Sequence, residues 1–396
     1  MKLKNVVEIK RGSSPRPIND YLSNCGYKWL KISDFNLGDK FINETKQFIK
    51  ESGLKGTRLV KKGTLILTNS ATPGIPIFIE DDMCLHDGFL YFKNLSDNML
   101  NMEYLYCWLL NNQGNILNLA NGSVFKNLKK EIVENLDIEL PKIENQNKIV
   151  KVYDAINYKI IENTATNNNL YEITKQLYNR WFVDFEFPNE KGNSYKSDGG
   201  KMIESELGKI PENWIVKRLD DISINFDFKR KPLSSREREE KKGGIPYYGA
   251  TSIIDYVDDY LFDDIYVLMG EDGTVINTDN TPVLQYIWRK CWVNNHTHIL
   301  QGKSITTEHL MECLRSTDVY SIITGAVQLK INQANMNSLK YAIASDDINQ
   351  KFEKILSSIY AKIRENIEKN ENLINLRDTL LPKLMNGEID LDNIEL

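Results

Sequence analysis

Residues 149–177 read IVKVYDAINYKIIENTATNNNLYEITKQL, and residues 352–380 read FEKILSSIYAKIRENIEKNENLINLRDTL. Laid over each other without gaps, at an offset of 203 positions, they stay in phase. Ile149, Val152 and Ile156 fall on Phe352, Ile355 and Ile359. Lys159-Ile160 falls on Lys362-Ile363, Glu162-Asn163 on Glu365-Asn366, and Leu170, Ile173 and Leu177 on Leu373, Leu376 and Leu380. Upstream, Leu136, Ile138 and Leu140 fall on Leu339, Tyr341 and Ile343, and Asn121-Gly122-Ser123-Val124 on Thr324-Gly325-Ala326-Val327. Any two amphipathic helices share apolar spacing. The shared glycine upstream and the shared Glu-Asn pair are what mark an internal duplication.

Within each copy the apolar residues recur every three and four positions, as a coiled-coil seam requires. Taking Ile149, Ile156, Asn163, Leu170 and Leu177 as a positions puts Val152, Lys159, Thr166 and Ile173 at d. In the second copy a holds Phe352, Ile359, Asn366, Leu373 and Leu380, and d holds Ile355, Lys362, Lys369 and Leu376. Both seams are polar at the centre. If the repeats pair antiparallel about a pseudo-twofold, the centres meet, and Asn163 and Asn366 are expected to approach and set the register. Such a pair would act as a ruler between two globular units, with tips more than one DNA turn apart, about 34–36 Å.

The predicted fold is α+β: two mixed α/β domains separated by two long helices packed as an antiparallel coiled coil. The boundaries read 1–141 for the first domain, 142–186 for its helix and 187–206 for a Gly/Ser/Asn/Lys-rich linker. The second domain follows at 207–345, its helix at 346–388 and a tail at 389–396. Strand-like runs include 64–68, 75–79 and 89–92 in the first domain and 265–269, 285–287 and 298–301 in the second, with short helices at 102–111 and 307–315.

The chain has 396 residues, 41% of them hydrophobic and 27% charged, and a net charge of −5. That is ordinary for a globular protein of two or three domains. The acidic balance disfavours a uniformly basic nucleic-acid binder, so any DNA contact must come from local basic patches. Five scattered cysteines suggest neither a disulfide framework nor a zinc site. With no signal-like start and no long apolar run, a cytoplasmic protein is expected.

Candidate DNA-contacting side chains cluster in short runs that mix cations, hydroxyls and amides. The first domain offers Lys10, Arg11, Ser13, Ser14 and Arg16, then Thr68, Asn69, Ser70 and Thr72, and Lys126. The second offers Lys229, Arg230, Lys231, Arg236 and Arg238, with Tyr248, Thr251, Glu271, Asp272, Thr274, His296, Thr297 and Gln328. Cations read guanine, amides read adenine, and carboxylates accept from cytosine. His296 and His298 would point the same way on a strand, but with no third ligand evident no metal site is expected. A glycine-rich phosphate loop, GxGxxG, GxSxG and an amino-methyltransferase Asn/Asp-Pro-Pro-aromatic run are all missing from the sequence.

Several stretches resemble the specificity subunit of type I restriction–modification enzymes. They are Leu140-Pro141 leading to Gln146, Trp181-Phe182-Val183-Asp184-Phe185, Gly208-Lys209-Ile210-Pro211-Glu212-Asn213-Trp214, Ile245-Pro246-Tyr247-Tyr248-Gly249-Ala250-Thr251 and Tyr256-Val257-Asp258-Asp259-Tyr260. The second helix lacks a counterpart of Pro141, and the first domain lacks the Gly-Ile-Pro-x-x-Trp lead-in. The resemblance implies target-recognition domains that each read half of a bipartite duplex site, and helices that set the gap. It implies no catalysis and no cofactor in this chain. Two methyltransferase subunits would bring S-adenosylmethionine, and restriction/translocase subunits are allowed as further partners. Trp181, Phe182, Leu380 and Leu384 are expected to meet those partners. Two rival readings are a fused catalytic methyltransferase and a coiled-coil scaffold without DNA specificity.

Overall fold

The computed structural model describes all residues except 35–37, 39, 121–126, 326 and 392–396. Lys126 therefore lies outside the described residues. The chain forms two compact units: residues 1–162 with 369–396, and residues 163–368. The division runs through both long helices, so each unit holds one globular domain and one stretch of the helix pair.

In the first unit, strands β1 (Val7–Arg11), β2 (Leu65–Thr68), β3 (Pro76–Ile79) and β4 (Phe89–Asn94) make an antiparallel sheet in the order β1-β4-β2-β3, with Phe41–Ile42 added in parallel to β3. In the second, β5 (Ser223–Asn225), β6 (Tyr266–Gly270), β7 (Leu284–Ile287) and β8 (Thr297–Gly302) repeat the plan as β5-β8-β6-β7. The duplication thus extends beyond the helices into sheets whose sequences no longer match. Each central strand has an unbroken buried apolar run: Leu65, Ile66 and Leu67 in β2, and Val267, Leu268 and Met269 in β6. Both faces of these strands are covered, so the period-2 alternation of a half-exposed strand is lost. Each unit adds a second small sheet, five-stranded in the first and three-stranded in the second.

A helix packs beside each sheet: α1 (Met102–Asn111) in the first unit and α3 (Thr307–Arg315) in the second. Asn101 and Thr306 cap them by accepting from Glu103 N and His309 N. A glutamate in each first turn ties down a cation. Lys40 Nζ is buried between Glu103 (2.7 Å) and Asp154 (2.6 Å), with the Tyr106 and Tyr153 rings 5.5 and 5.7 Å away. Burial works against its charge, but the bonds to Asp154 and Glu103 prevail and raise its pKa. In the second unit Arg364 Nη1 reaches Glu308 at 3.0 Å, and Tyr286 donates to the same oxygen at 2.8 Å. Asp154 and Arg364 belong to the long helices, so these ion pairs fix each domain on its helical stretch.

The long helices are α2 (Ile143–Tyr178), continued by a π turn at Asn179–Val183, and α4 (Asp346–Met385). They run antiparallel in both units. In the first, Lys148 reaches the Leu391 carbonyl, Arg377 donates to Asn157, and Asn370 donates to the Ile160 carbonyl at 3.2 Å. In the second, Asn167 donates to the Ile363 carbonyl at 3.1 Å, Tyr171 meets Tyr360, and Trp181 meets Phe352. The bonds of Asn167 and Asn370 are images of each other under the repeat, since Asn370 is the counterpart of Asn167 and Ile363 of Ile160. Asn163 and Asn366 are buried, 5% and 2% exposed. The partner of Asn366 is Asn167 Oδ1 at 2.8 Å, one helical turn on from Asn163.

Several expectations meet a different structure. Asn366 takes Asn167 as its partner in place of the expected Asn163. Ile173, Ile355 and Leu376, read as seam d positions, are exposed, and Asn167, Thr174, Leu356 and Tyr360 are buried in their place. The stretch read as an open linker is pinned: Phe187 is buried, stacked on Tyr195 and Trp214, and Met202–Ser205 pairs with Gly208–Pro211. Trp181, Phe182 and Leu384 are buried inside their own units, with Phe182 packed on Phe352, His309 and Trp214. Aromatic side chains bury large apolar areas, and here the protein's own core takes them. Leu380 is partly buried against the core of the first unit.

Two predictions follow from this packing. Asn366→Leu strands a buried acceptor on Asn167 and should cost about 1–3 kcal/mol in chemical denaturation, while Asn167→Leu/Asn366→Leu together should cost less than the two single changes added. Additive losses would show that the amides act independently. His309 is fully buried among Phe182, Phe352 and Tyr178, with Nδ1 3.3 Å from Glu353. Burial disfavours its charged form and outweighs Glu353, so its pKa is depressed. The stability this gives is present above the unfolded histidine pKa of about 6.5 and is lost as pH falls below it. Thermal unfolding of His309→Leu should fall less steeply than wild type between about pH 7 and pH 5; parallel curves would contradict this.

Candidate nucleic-acid interface

In the first unit β1 ends, β4 begins and β2 turns into β3 at the same sheet end, because Arg11 pairs with Leu90, Phe89 with Thr68, and Leu67 with Pro76. Three loops converge there, at 12–17, 69–75 and 86–88. Backbone bonds lash them together: Gly12 N to the Phe89 carbonyl, Ser13 N to Leu85, and Asn69 N to Gly88, at 2.9–3.1 Å. The approach is close enough to demand glycine. A Cβ on Gly12 would lie 2.2 Å from the His86 carbonyl oxygen, and one on Gly88 would lie 2.9 Å from Ser70 Oγ.

The lashing holds a set of side chains. Arg11 Nε donates to the Asp87 carbonyl at 2.8 Å, and Ser14 Oγ donates to Asp87 Oδ1 at 3.1 Å. Gly88 N donates to His86 Nδ1 at 2.9 Å, so the ring proton sits on Nε2, which faces Asp87 Oδ1 at 3.0 Å. Burial lowers the His86 pKa against the pull of Asp87, which favours the neutral ring. Serine, histidine and aspartate are present, yet this is no nucleophilic triad. The serine bonds the carboxylate, and the histidine's acceptor nitrogen is occupied by backbone. Ser14 supports Asp87 by a hydrogen bond, and His86 lies against the same oxygen. The group lines a depression of about 780 Å³ with Arg16, Trp29, Lys31 and Gln47.

The sequence-predicted residues divide. Lys10, Arg11, Arg16 and Thr72 are exposed, and Ser13, Ser14 and Ser70 half-buried, all at this end. Thr68 and Asn69 are buried. Thr68 Oγ1 donates to the Thr72 carbonyl and accepts from Ile75 N, shaping the loop without facing outward. His86, Asp87, Lys31 and Gln47 escaped the sequence reading.

The second unit repeats the three loops after β5, after β6 and before β8. Lys229 is exposed, 5.1 and 5.9 Å from the Phe226 and Phe228 rings; Lys231, Thr251, Thr274 and Gln328 are also exposed. His296 lies ahead of β8 and pairs with Asp272 at 2.7 Å, the position His86 holds ahead of β4. His298, inside β8, is buried on Asp227 (2.6 Å) and the Ile331 carbonyl (2.8 Å), while His296 is exposed, so the two histidines serve different partners. Arg230 bonds Glu271 and the Thr297 carbonyl, and lies 3.5 Å from Asp227. Asp227, Glu271 and His298 come within ligand distance of one another. The Arg230 guanidinium already bonds Glu271 beside them, and a divalent ion would have to displace it.

Three further candidates, Thr297, Tyr248 and Arg238, are structural. Thr297 and Tyr248 are buried, Tyr248 in a small core with Phe262 and Ile299. Arg238 is spent on Asp255 and the Leu233 carbonyl, and Arg236 is exposed but paired with Glu240. What remains at each sheet end is a mixture of cations, hydroxyls, amides and placed carboxylates. That mixture suits phosphate contact together with readout of base edges.

The type I restriction modification DNA specificity domain family matches residues 1–172 and 211–375. The MjaIX specificity subunit of Methanocaldococcus jannaschii is 25% identical over 424 residues, spanning 99% of this chain and 94% of that protein. The HindI specificity subunit of Haemophilus influenzae is 22% identical, spanning 89% and 92%. Among solved structures, the S subunit of a type I restriction–modification system from M. genitalium superposes with a TM-score of 0.54 at 16% identity, covering 97% of this chain and 95% of that one. Matched along most of its length, the chain belongs to the type I restriction–modification DNA specificity family.

Proposed function

We propose that this chain is the DNA-recognition subunit of a type I restriction–modification complex, in which each unit reads one half of a bipartite duplex site. The observation that carries the reading is the repeated sheet end: three loops in each unit, on the same strand plan, presenting exposed cations beside hydrogen-bonding groups. Cations there supply phosphate attraction, which an acidic net charge elsewhere does not cancel at short range. The gap between half-sites is set by the helical residues that separate the two readers.

The chain works without catalysis or a cofactor of its own. Adenine methyltransferase subunits, two per complex, carry S-adenosylmethionine, and restriction/translocase subunits complete a cleaving form in the cytoplasm. With Trp181, Phe182 and Leu384 committed to the protein's interior, the exposed helix residues Tyr158, Ile161, Ile173 and Leu376 are the better docking contacts. Ile173 and Leu376 are repeat counterparts, as two identical partners would require. A scaffold without DNA specificity would show no salt-dependent, sequence-selective duplex binding.

In fluorescence anisotropy with the assembled methyltransferase complex, Arg16→Ala and Lys229→Ala should each weaken binding to every duplex alike. Each should also reduce the slope of log affinity against log salt by about 1. Unchanged slopes would remove these loops from the interface. Inserting one heptad into α2 and its counterpart into α4 adds about 10 Å of helix, or about three base pairs. Methylation-sensitive sequencing should then show the unread gap longer by that amount with both half-sites retained. An unaltered gap at full activity would mean the helices do not set it.

A further inference from the structure

We infer that Asp87 reads an exocyclic amino group, adenine N6 or cytosine N4, at one base position of the half-site engaged by the first unit. This rests on the DNA-recognition reading above and adds a specificity-determining residue to it. Asp87 Oδ1 accepts from Ser14 Oγ at 3.1 Å, and the His86 Nε2 edge lies 3.0 Å from the same oxygen. Arg11 grips the Asp87 carbonyl from a third direction. The carboxylate is thereby held in one orientation, with its side chain one-third exposed. Among the described residues its hydrogen bonds are made through Oδ1, which leaves Oδ2 able to accept.

A carboxylate is the wrong group for a phosphate, which it repels. It stands nonetheless beside Arg11 and in one depression with Arg16 and Lys31, cations suited to phosphate. Its useful partner on a duplex is a hydrogen-bond donor, and the donors a major groove displays are the amino groups of adenine and cytosine. Gln47 lines the same depression with its amide oxygen tied to Lys31 Nζ at 2.7 Å, which turns its NH₂ into the available end. An acceptor and a donor lining one depression are the pair that adenine N6 with N7, or cytosine N4 with the O6 of its paired guanine, would meet. Ser14 acts as a positioning residue, since it bonds Asp87 and need not touch DNA.

The test uses the assembled complex and its cognate duplex, found by methylation-sensitive sequencing. Each adenine is replaced in turn by purine, which lacks N6, and each cytosine by pyrimidin-2-one, which lacks N4. Wild type should lose roughly 5- to 150-fold in affinity at one position of one half-site, and whether purine or pyrimidin-2-one causes it identifies the base. Asp87→Ala and Asp87→Asn should bind the unmodified duplex less tightly and be indifferent to, or changed in preference at, that position alone. Ser14→Ala should show a smaller effect at the same position, which keeps the proposal falsifiable if the Asp87 variants fold poorly. If all three variants discriminate as wild type does at every position, the assignment of Asp87 is overturned. If wild type itself binds duplexes without sequence preference, the DNA reading fails and this proposal falls with it.

Discussion

The antiparallel register of α2 against α4 is the constraint on which the remaining structure depends. Apolar heptads bring two helices together but allow slippage by a turn at small cost. Buried amides do not, because a shift leaves each without its partner in a place where water cannot substitute. Asn167 accepts from Asn366 and donates to the Ile363 carbonyl, and Asn370 makes the equivalent bond to Ile160. The polar centre therefore carries register, while the apolar flanks supply most of the burial.

The same economy of means places each domain on its helices. An ion pair with a buried or half-buried cation is a poor source of stability but a strict one of geometry, since the cation left without its carboxylate is disfavoured. Lys40 with Glu103 and Asp154, and Arg364 with Glu308, use different cations from different parts of the chain. Both meet a glutamate in the first turn of the helix beside the sheet. Duplicated architecture has kept the place of the interaction while its chemistry diverged.

At the sheet ends the two units differ in what they offer. The first presents one carboxylate held by Ser14, with His86 against it and exposed arginines beside it. The second interlocks Arg230, Asp227, Glu271 and His298 into a bonded network and leaves Lys229, His296 and Phe228 outermost. One scaffold with two loop sets can recognise two unrelated half-sites, which an asymmetric bipartite target requires.

Much of this was legible in the sequence. The helix repeat, the buried Asn163 and Asn366 and the basic loops at 10–16 and 229–231 depend on local spacing and composition, which a chain displays directly; that Asn167 and not Asn163 would partner Asn366 was not displayed. Facing was not legible. Thr68, Asn69, Thr297 and Tyr248 carry the polarity of contact residues, yet the strand ends turn them inward. The Trp181-Phe182 pair looked available to a partner until its own core claimed it. Asp87 was invisible because its meaning comes from Ser14, 73 residues away. One hint was present, a histidine just ahead of the equivalent strand in each half. Periodicity and duplication are properties of the chain and determine which elements form. Which side chains converge, and which of their hydrogen bonds remain unspent, is decided only when strands distant in sequence are brought side by side.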